Sequence, residues 1–581
     1  MTLEKAPTKK KIPKLKELKK PIIIGVTVSL IAITGIVTGV IVLKMIRKNE
    51  IVFVYGVYSC AYDIDPLAAF GPQDIQVINQ VAEGLFEIDV KSDKSRIINN
   101  LAIDHTWSDD ALNLTCFLRQ GVKFHDDTPF NATAVKWNFD RLHRLLNNTN
   151  YPELWLFPDN QTIINQTQVL GEYTIRFILN APYVPLESLL TSWTSFILSP
   201  TATPEDEFID VLTGDLVGTG PFIYDSIVWE GIVPINVIMS ANPYYWGGKP
   251  KIDKLIFSKI PYVPGDASHF DKGLSSGEIH LGGNMYFNES LLNKFKNNSS
   301  FTVHDGIPRT LVSWLIINNR LINATMRKAI SYAFNYSSLI EVAPHLWKKP
   351  ESPIPEGILY HNTTGINIPY CNISLARQIL KDVNWSGIAG ALLADDNVSA
   401  GNEWELVANS SFPLATYNYS WIIGWTGGHF YILDHLTEAF KQIGVKLERV
   451  NLTEAEWDYR AQEKYGYTRD MFEITYIAWV ADYNDPSNYI NSLFSNKKPN
   501  WNIGQVNDTQ VQEWMEEGLE ETNETAREEI YYQIQKRLIE EVYPNIWIWQ
   551  WRRTDVYVSN LRGWYPNGFK DLFKFVYLVK A

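Results

Sequence analysis

The chain has 581 residues, 45% of them hydrophobic and 20% charged, which is ordinary globular composition. That length exceeds what one hydrophobic core organises, so two or more domains are expected. The formal charge is −13, and removing the eleven cations and two anions of residues 1–48 from the totals of 52 and 65 leaves 41 basic and 63 acidic residues. The remaining net charge of −22 argues against a nucleic-acid partner.

Residues 1–20 carry eight lysines and two glutamates, a basic tail. PIIIGVTVSLIAITGIVTGVIVL, 21–43, then runs for 23 positions without a charge. At about 1.5 Å per residue it is long enough to span a hydrocarbon core of about 30 Å as one transmembrane helix. The lysines before it favour a cytoplasmic N-terminus, although Lys44, Arg47 and Lys48 soften the asymmetry. A cleaved leader is the alternative, but its apolar core is usually shorter and is followed by a small-residue cleavage site. Nineteen Asn-X-Ser/Thr sequons, from Asn113 to Asn523, all lie after the apolar run. They fit a large glycosylated domain outside the cell. Three cysteines, Cys60, Cys116 and Cys371, allow one disulfide at most.

Along the chain, helical and strand patterns alternate, which is α/β material. His125, in KFHDDTPF, reads as a turn residue, because no second metal ligand stands three or four positions away. GLSSG, 273–277, matches the Gly-x-Ser-x-Gly nucleophile pattern, but the segment before it reads as helix and the one after as strand. That order is the reverse of what a nucleophile elbow needs. LTEAFKQIG, 436–444, is an amphipathic helix with Gly at its C-cap, and VKLERV, 445–450, is a strand. FEITYIAW, 472–479, is apolar, aromatic and β-branched, so it reads as a buried strand.

WVADYNDPSNYI, 479–490, follows with two carboxylates three positions apart. Asp485 precedes Pro486, the pattern of a helix N-cap with Pro at the first helical position. Asp482 has no such duty and stands at the mouth of the strand beside Trp479 and Tyr483. AREEIYYQIQKRLIEEV, 526–542, is a helix ended by Pro544. IWIWQW, 546–551, is a strand that places Trp547, Trp549 and Trp551 on one face. No catalytic, phosphate-binding or metal motif stands out, so no cofactor is expected.

Several blocks resemble, in order, the extracellular solute-binding proteins of peptide and nickel ABC transporters, family 5. They are DIDPLAAF (63–70), VAEGLFEID (81–89), the long block 99–142, GTGPF (218–222), ANPYYWGGKPKIDKLIF (241–257), MRKAISYAFNYSSLI (326–340) and the 479–490 stretch. The resemblance covers nearly all of residues 51–581. It departs at Asp127, where the family usually has Gly, so the turn at 125–129 is expected to be built differently. It departs again at Asn335-Tyr336, where the family usually has Asp-Arg and a structural ion pair.

The resemblance implies an α/β, bilobed periplasmic-binding-protein-like fold of the large three-part type II variety, following the membrane helix. Lobe I maps to 51–97, 216–308 and 545–581, with an inserted subdomain at 98–215. Lobe II maps to 309–544. It also implies that Asp482 holds the α-ammonium of a peptide ligand, that Ala478, Trp479 and Val480 with Tyr483 lie along the ligand, and that Phe70, Gly71 and Pro72 bracket it from the other lobe. The implied partners are a peptide and the permease and ATPase subunits of an ABC transporter, with the binding protein a monomer. Twenty tryptophans, whose faces stack on sugar rings, make an oligosaccharide binder the alternative. An extracellular hydrolase would need a carboxylate pair or a nucleophile with its base, and the ordered carboxylates here are already assigned.

Overall fold

The computed structural model describes residues 50–579 apart from 93–95, 158–159, 262–266, 284–287, 382–400, 425–427, 462–471 and 498–500. The expected basic tail and membrane helix lie outside the described residues. Among the described residues no helix is long and apolar enough to cross a membrane.

The chain begins with β1 (Val52–Val57) and α1 (Pro72–Val81). An antiparallel sheet follows, built from β2 (Ala102–Trp107), β3 (Asn113–Leu118), β4 (Ile164–Gly171) and β5 (Thr174–Leu179) in the order β2-β3-β5-β4. In β5 the residues Ile175, Phe177 and Leu179 point inward and alternate with Thr174, Arg176 and Ile178, the two-residue period of a one-sided sheet. The helix α2 (Ala132–Leu145) covers it. Asn131 caps that helix by accepting from the Ala134 N–H, and Val135, Phe139 and Leu142 face the sheet core.

The second sheet has eleven strands. Its further members are β6 (Phe222–Glu230), β7 (Val233–Ala241), β8 (Lys254–Lys259), β9 (Leu281–Gly282), β10 (Phe301–Ile317), β11 (Ala415–Ile422), β12 (Val445–Leu452), β13 (Ile474–Trp479) and β14 (Asn545–Val558), with Trp347–Lys348 pairing on β14. The order is β12-β11-β13-β10-β14-β9-β1-β8-β7-β6. β10 and β14 are 17 and 14 residues long and pair antiparallel through three register shifts, between His304 and Ile307, Pro308 and Val312, and Ser313 and Trp314. One half of each strand lies with β1 and β6–β9 over the core around Phe53, Phe257 and Phe573. The other half lies with β11–β13 over cores around Trp549 and Tyr489.

The last register shift corrects one expectation. Ser313 pairs with Trp549 and Trp314 with Trp547, so β14 carries one extra residue there, and a bulge changes which face the following side chains take. Trp549 stacks on Trp347 with centroids 4.2 Å apart, and Trp551 meets both edge-on. Trp547 packs instead on Trp314 and Phe494 in a different core cluster.

The departures from the family pattern are resolved by the backbone. Asp127 adopts φ +66°, the left-handed conformation that favours Gly, so the 124–128 turn carries a Cβ in that region. Asn335 caps the helix Tyr336–Glu341 through the Ser338 N–H, and the Tyr336 hydroxyl donates to the Ser331 carbonyl, so a cap replaces the ion pair. Cys60, Cys116 and Cys371 form no disulfide. GLSSG lies at the end of α3 (Ser268–Ser276), with Gly277 at φ +77° as the left-handed C-cap and β9 beyond it, in the expected helix-to-strand order.

Candidate functional site

β13 ends at Trp479, and the chain turns through Val480–Pro486 into α4 (Ser487–Phe494). One edge of β13 pairs with β10 along its whole length, from Ile474 to Trp479. The other edge pairs with β11 only at Ile474 and Thr475. Among the described residues no strand pairs with that edge from Tyr476 onward, and Ala478 and Val480 are exposed. The strand thus offers unpaired backbone groups just before Asp482.

Asn488, fully buried on α4, organises the turn. Its side-chain carbonyl accepts from the Trp479 indole N–H at 3.1 Å and from the Asp482 N–H at 3.2 Å, and its amide donates to Asp482 Oδ2 at 2.9 Å. Among the described residues no cation pairs with Asp482. Burial pushes its carboxyl up to about 7, with the Asn488 bond pulling down and the Glu153 charge adding to the rise.

Asp485, 1% exposed, is placed quite differently. Its Oδ1 accepts from the Ser487 N–H at 2.9 Å, the capping bond that its place before Pro486 predicts. Both oxygens also receive the Arg527 guanidinium, at 2.7 and 2.9 Å. Arg527 is itself buried, donates to the Gly518 carbonyl at 2.7 Å and lies over the Tyr531 ring at 5.1 Å. Asp485 is therefore half of a buried, bidentate ion pair as well as a cap. Arg527 lies 42 residues along the chain, and no local pattern announces it.

Asp482 faces a cavity of about 190 Å³ whose walls come from distant parts of the chain. Of the residues singled out by sequence, Phe70, Pro72, Val480, Asp482 and Tyr483 line it together. Gly71, Ala478 and Trp479 do not. Gly71 is the N-cap of α1, and Trp479 turns its ring against Trp501. The Tyr483 ring is 5% exposed and belongs to the core of the four-stranded sheet, with its hydroxyl 3.2 Å from that of Tyr183. Its role is therefore structural as much as ligand-facing.

The cavity lining also contains residues that sequence reasoning missed, among them Tyr151, Trp193 and the run Asn567–Asp571. The Asn567–Asp571 run is held by buried charge. Arg553 donates from Nε to Asp555 at 2.7 Å and from Nη1 to Asp571 at 2.6 Å. Asp571 also accepts from Tyr55 and from Gln76 of α1. Lys570 and Lys574 both meet Glu87, at 3.3 and 2.6 Å. The Gln76 bond ties α1 to the C-terminal segment, and the two lysines tie that segment to Glu87.

The family "Bacterial extracellular solute-binding proteins, family 5 Middle" matches residues 96–501. The glutathione-binding protein GsiB of Escherichia coli K12 is 23% identical over 538 residues, 91% of this chain and 94% of the relative. Among solved structures, HbpA2 from Haemophilus parasuis superposes with a TM-score of 0.73 at 20% identity, over 91% of this chain and all of that one. The periplasmic binding protein DppA from Helicobacter pylori, in complex with peptide STSA, superposes with a TM-score of 0.67 at 21% identity, over 91% of this chain and 99% of that one. The fold is thus the mixed α/β fold of periplasmic binding proteins. A family match from residue 96 to residue 501, more than two thirds of the sequence, establishes that the chain belongs to the bacterial extracellular solute-binding proteins, family 5.

Proposed function

We propose that this chain is a membrane-anchored, extracellular binding protein that captures peptides in a cleft between two lobes and passes them to the permease of an ABC transporter. The observation that carries the reading is Asp482, a carboxylate without a cation partner among the described residues, at the end of a strand whose edge is open. A peptide N-terminus supplies what both features lack. Its ammonium brings three donors and one positive charge to the carboxylate, and its extended backbone pairs with the strand edge. The names of GsiB and the STSA complex of DppA agree in kind.

In this reading lobe I comprises 51–97, 216–308 and 545–581, with 98–215 inserted, and lobe II comprises 309–544. β10 and β14 carry the two crossings, and the start of β14 through Trp549, whose side chains share a core with residues of 309–544, moves to lobe II. Residues 21–43 are the anchor, with 1–20 inside and the sequon-bearing remainder outside. The protein acts as a monomer between ligand and permease and needs no cofactor.

Calorimetry with trialanine and N-acetyl-trialanine, on wild type and Asp482→Asn, tests the anchor. Each single change is expected to cost about tenfold to a hundredfold in affinity, and the two losses should not add. Independent losses, or none, overturn it. The aromatic rings in the cavity wall favour one second reading, an oligosaccharide ligand, and cellotriose binding more tightly than trialanine would put that reading first.

A further inference from the structure

The loop that carries Phe70 is held by hydrogen bonds within the protein. Residues 62–71 wrap around the Asp74 carboxylate, which accepts from the backbone N–H groups of Tyr62 and Asp63 at 2.8 and 3.1 Å, and of Phe70 and Gly71 at 3.1 Å each. Tyr151 holds the same loop from the other side, donating its hydroxyl to the Phe70 carbonyl at 2.7 Å. The Phe70 backbone is pinned at both polar groups, yet the residue is 73% exposed. A pinned backbone with an exposed aromatic ring forgoes burial that a phenylalanine ordinarily gains.

Phe70 is not isolated. Its ring lies within 23° of parallel to Tyr151, with centroids 6.4 Å apart, and Trp193 meets Tyr151 edge-on at 5.6 Å. All three rings line the cavity that Asp482 faces. Tyr151 is also in the field of Asp482: burial pushes its phenol up to about 12, and the Asp482 charge is the next contributor.

We propose that Phe70, Tyr151 and Trp193 form a side-chain subsite that selects an apolar, above all aromatic, first residue in the bound peptide. This rests on the peptide reading of Asp482. The α-ammonium and the first side chain leave the same carbon, so the first side chain falls on the wall next to Asp482. A flat ring pairs with these rings in stacked or edge-on geometry. An acidic first residue would bring a further carboxylate beside Asp482 and Glu153, which already repel.

The test is calorimetry on the full chain in detergent with Phe-Ala-Ala, Gly-Ala-Ala, Asp-Ala-Ala and Lys-Ala-Ala. Phe-Ala-Ala is expected to bind at least about tenfold more tightly than Gly-Ala-Ala, with Asp-Ala-Ala weakest. In Phe70→Ala the Phe-to-Gly ratio should fall below about threefold, and in Phe70→Trp it should be retained. The Phe70 ring is exposed, so Phe70→Ala should keep the wild-type melting temperature. A ratio unchanged in Phe70→Ala overturns the subsite, as does Lys-Ala-Ala binding tightest, which would mark an acidic subsite instead. Equal affinities for all four peptides remove the subsite and leave the peptide reading standing. If none of the four binds, the peptide reading fails and the subsite falls with it.

Discussion

Asp482 and Asp485 stand three positions apart in opposite electrostatic circumstances. Asp485 is neutralised by Arg527 inside the protein. Removing its charge leaves a guanidinium buried without compensation, which costs about 3–5 kcal/mol. Asp485→Asn is thus expected to lower the urea midpoint strongly even though Asn caps helices as well as Asp does. Asp485→Leu combined with Arg527→Met should recover most of that loss, and no recovery would mean that the pair does more than neutralise itself.

Asp482 behaves in the opposite sense. Its folded-state carboxyl titrates near 7, above the 3.8 of an exposed aspartate. The folded protein therefore binds more protons than the unfolded chain between these values. Stability contributed by the protonated form is lost as pH rises from about 4 to 7. Asp482→Asn is expected to raise the unfolding free energy of the ligand-free protein, read by urea titration at pH 8, by on the order of 2 kcal/mol, with the gain shrinking towards pH 4. Peptide binding needs the carboxylate, so affinity should drop about tenfold per pH unit below 7, with uptake of peptide releasing a proton. Calorimetry in buffers of different ionisation enthalpy reads that proton directly. Asp482 stands out in the sequence because no local pattern claims it. Asn488 and Arg527 do not, because buried polar groups find partners in space, and nothing in a local pattern names them.

At the scale of elements, strands and helices were legible wherever burial is periodic. β13 lies where its apolar, β-branched run places it; the helix read at 436–444 starts earlier and ends sooner, spanning Gly428–Lys441, with Gly444 beyond it at φ +70°. The face of Trp547 was misread because a bulge depends on how β14 meets β10, and β-sheet register is a two-strand property. The GTGPF block shows a motif whose reason is purely steric. A Cβ at Gly218 would stand 2.2 Å from the Val81 carbonyl oxygen, and one at Gly220 would stand 2.6 Å from it. Gly220 also donates its N–H to that carbonyl at 2.9 Å, and His125 bonds both glycine carbonyls. His125 is therefore structural, as its turn context suggested. Gly218→Ala must push the end of α1 away and is expected to destabilise by about 3 kcal/mol. Thermal unfolding would show it, and a melting temperature within a degree of wild type would mean that α1 is free to shift.

For the whole molecule, the question is what holds the cleft in the arrangement observed. The segment after Asp482 reaches the insert through several bonds. The Ser188 hydroxyl donates to the Asn484 carbonyl at 3.0 Å, the Val184 N–H donates to the Leu519 carbonyl at 2.9 Å, and the Tyr183 and Tyr483 hydroxyls meet at 3.2 Å. If 98–215 moves with lobe I and 309–544 is lobe II, these bonds exist only when the lobes are closed. Tyr183→Phe removes one of them without changing volume. A neutral hydrogen bond contributes about 1 kcal/mol, so the closed population without ligand should drop about fivefold. Apparent peptide affinity should fall by the same factor, because ligand must then supply the closing free energy. Small-angle scattering should give a larger radius of gyration for ligand-free Tyr183→Phe than for wild type, and equal radii for the two at saturating trialanine. Equal radii in both states, with equal affinities, would mean that the insert and lobe II are joined permanently and that closure occurs elsewhere, with the register-shifted stretch of β10 from His304 to Val312 as the next place to test.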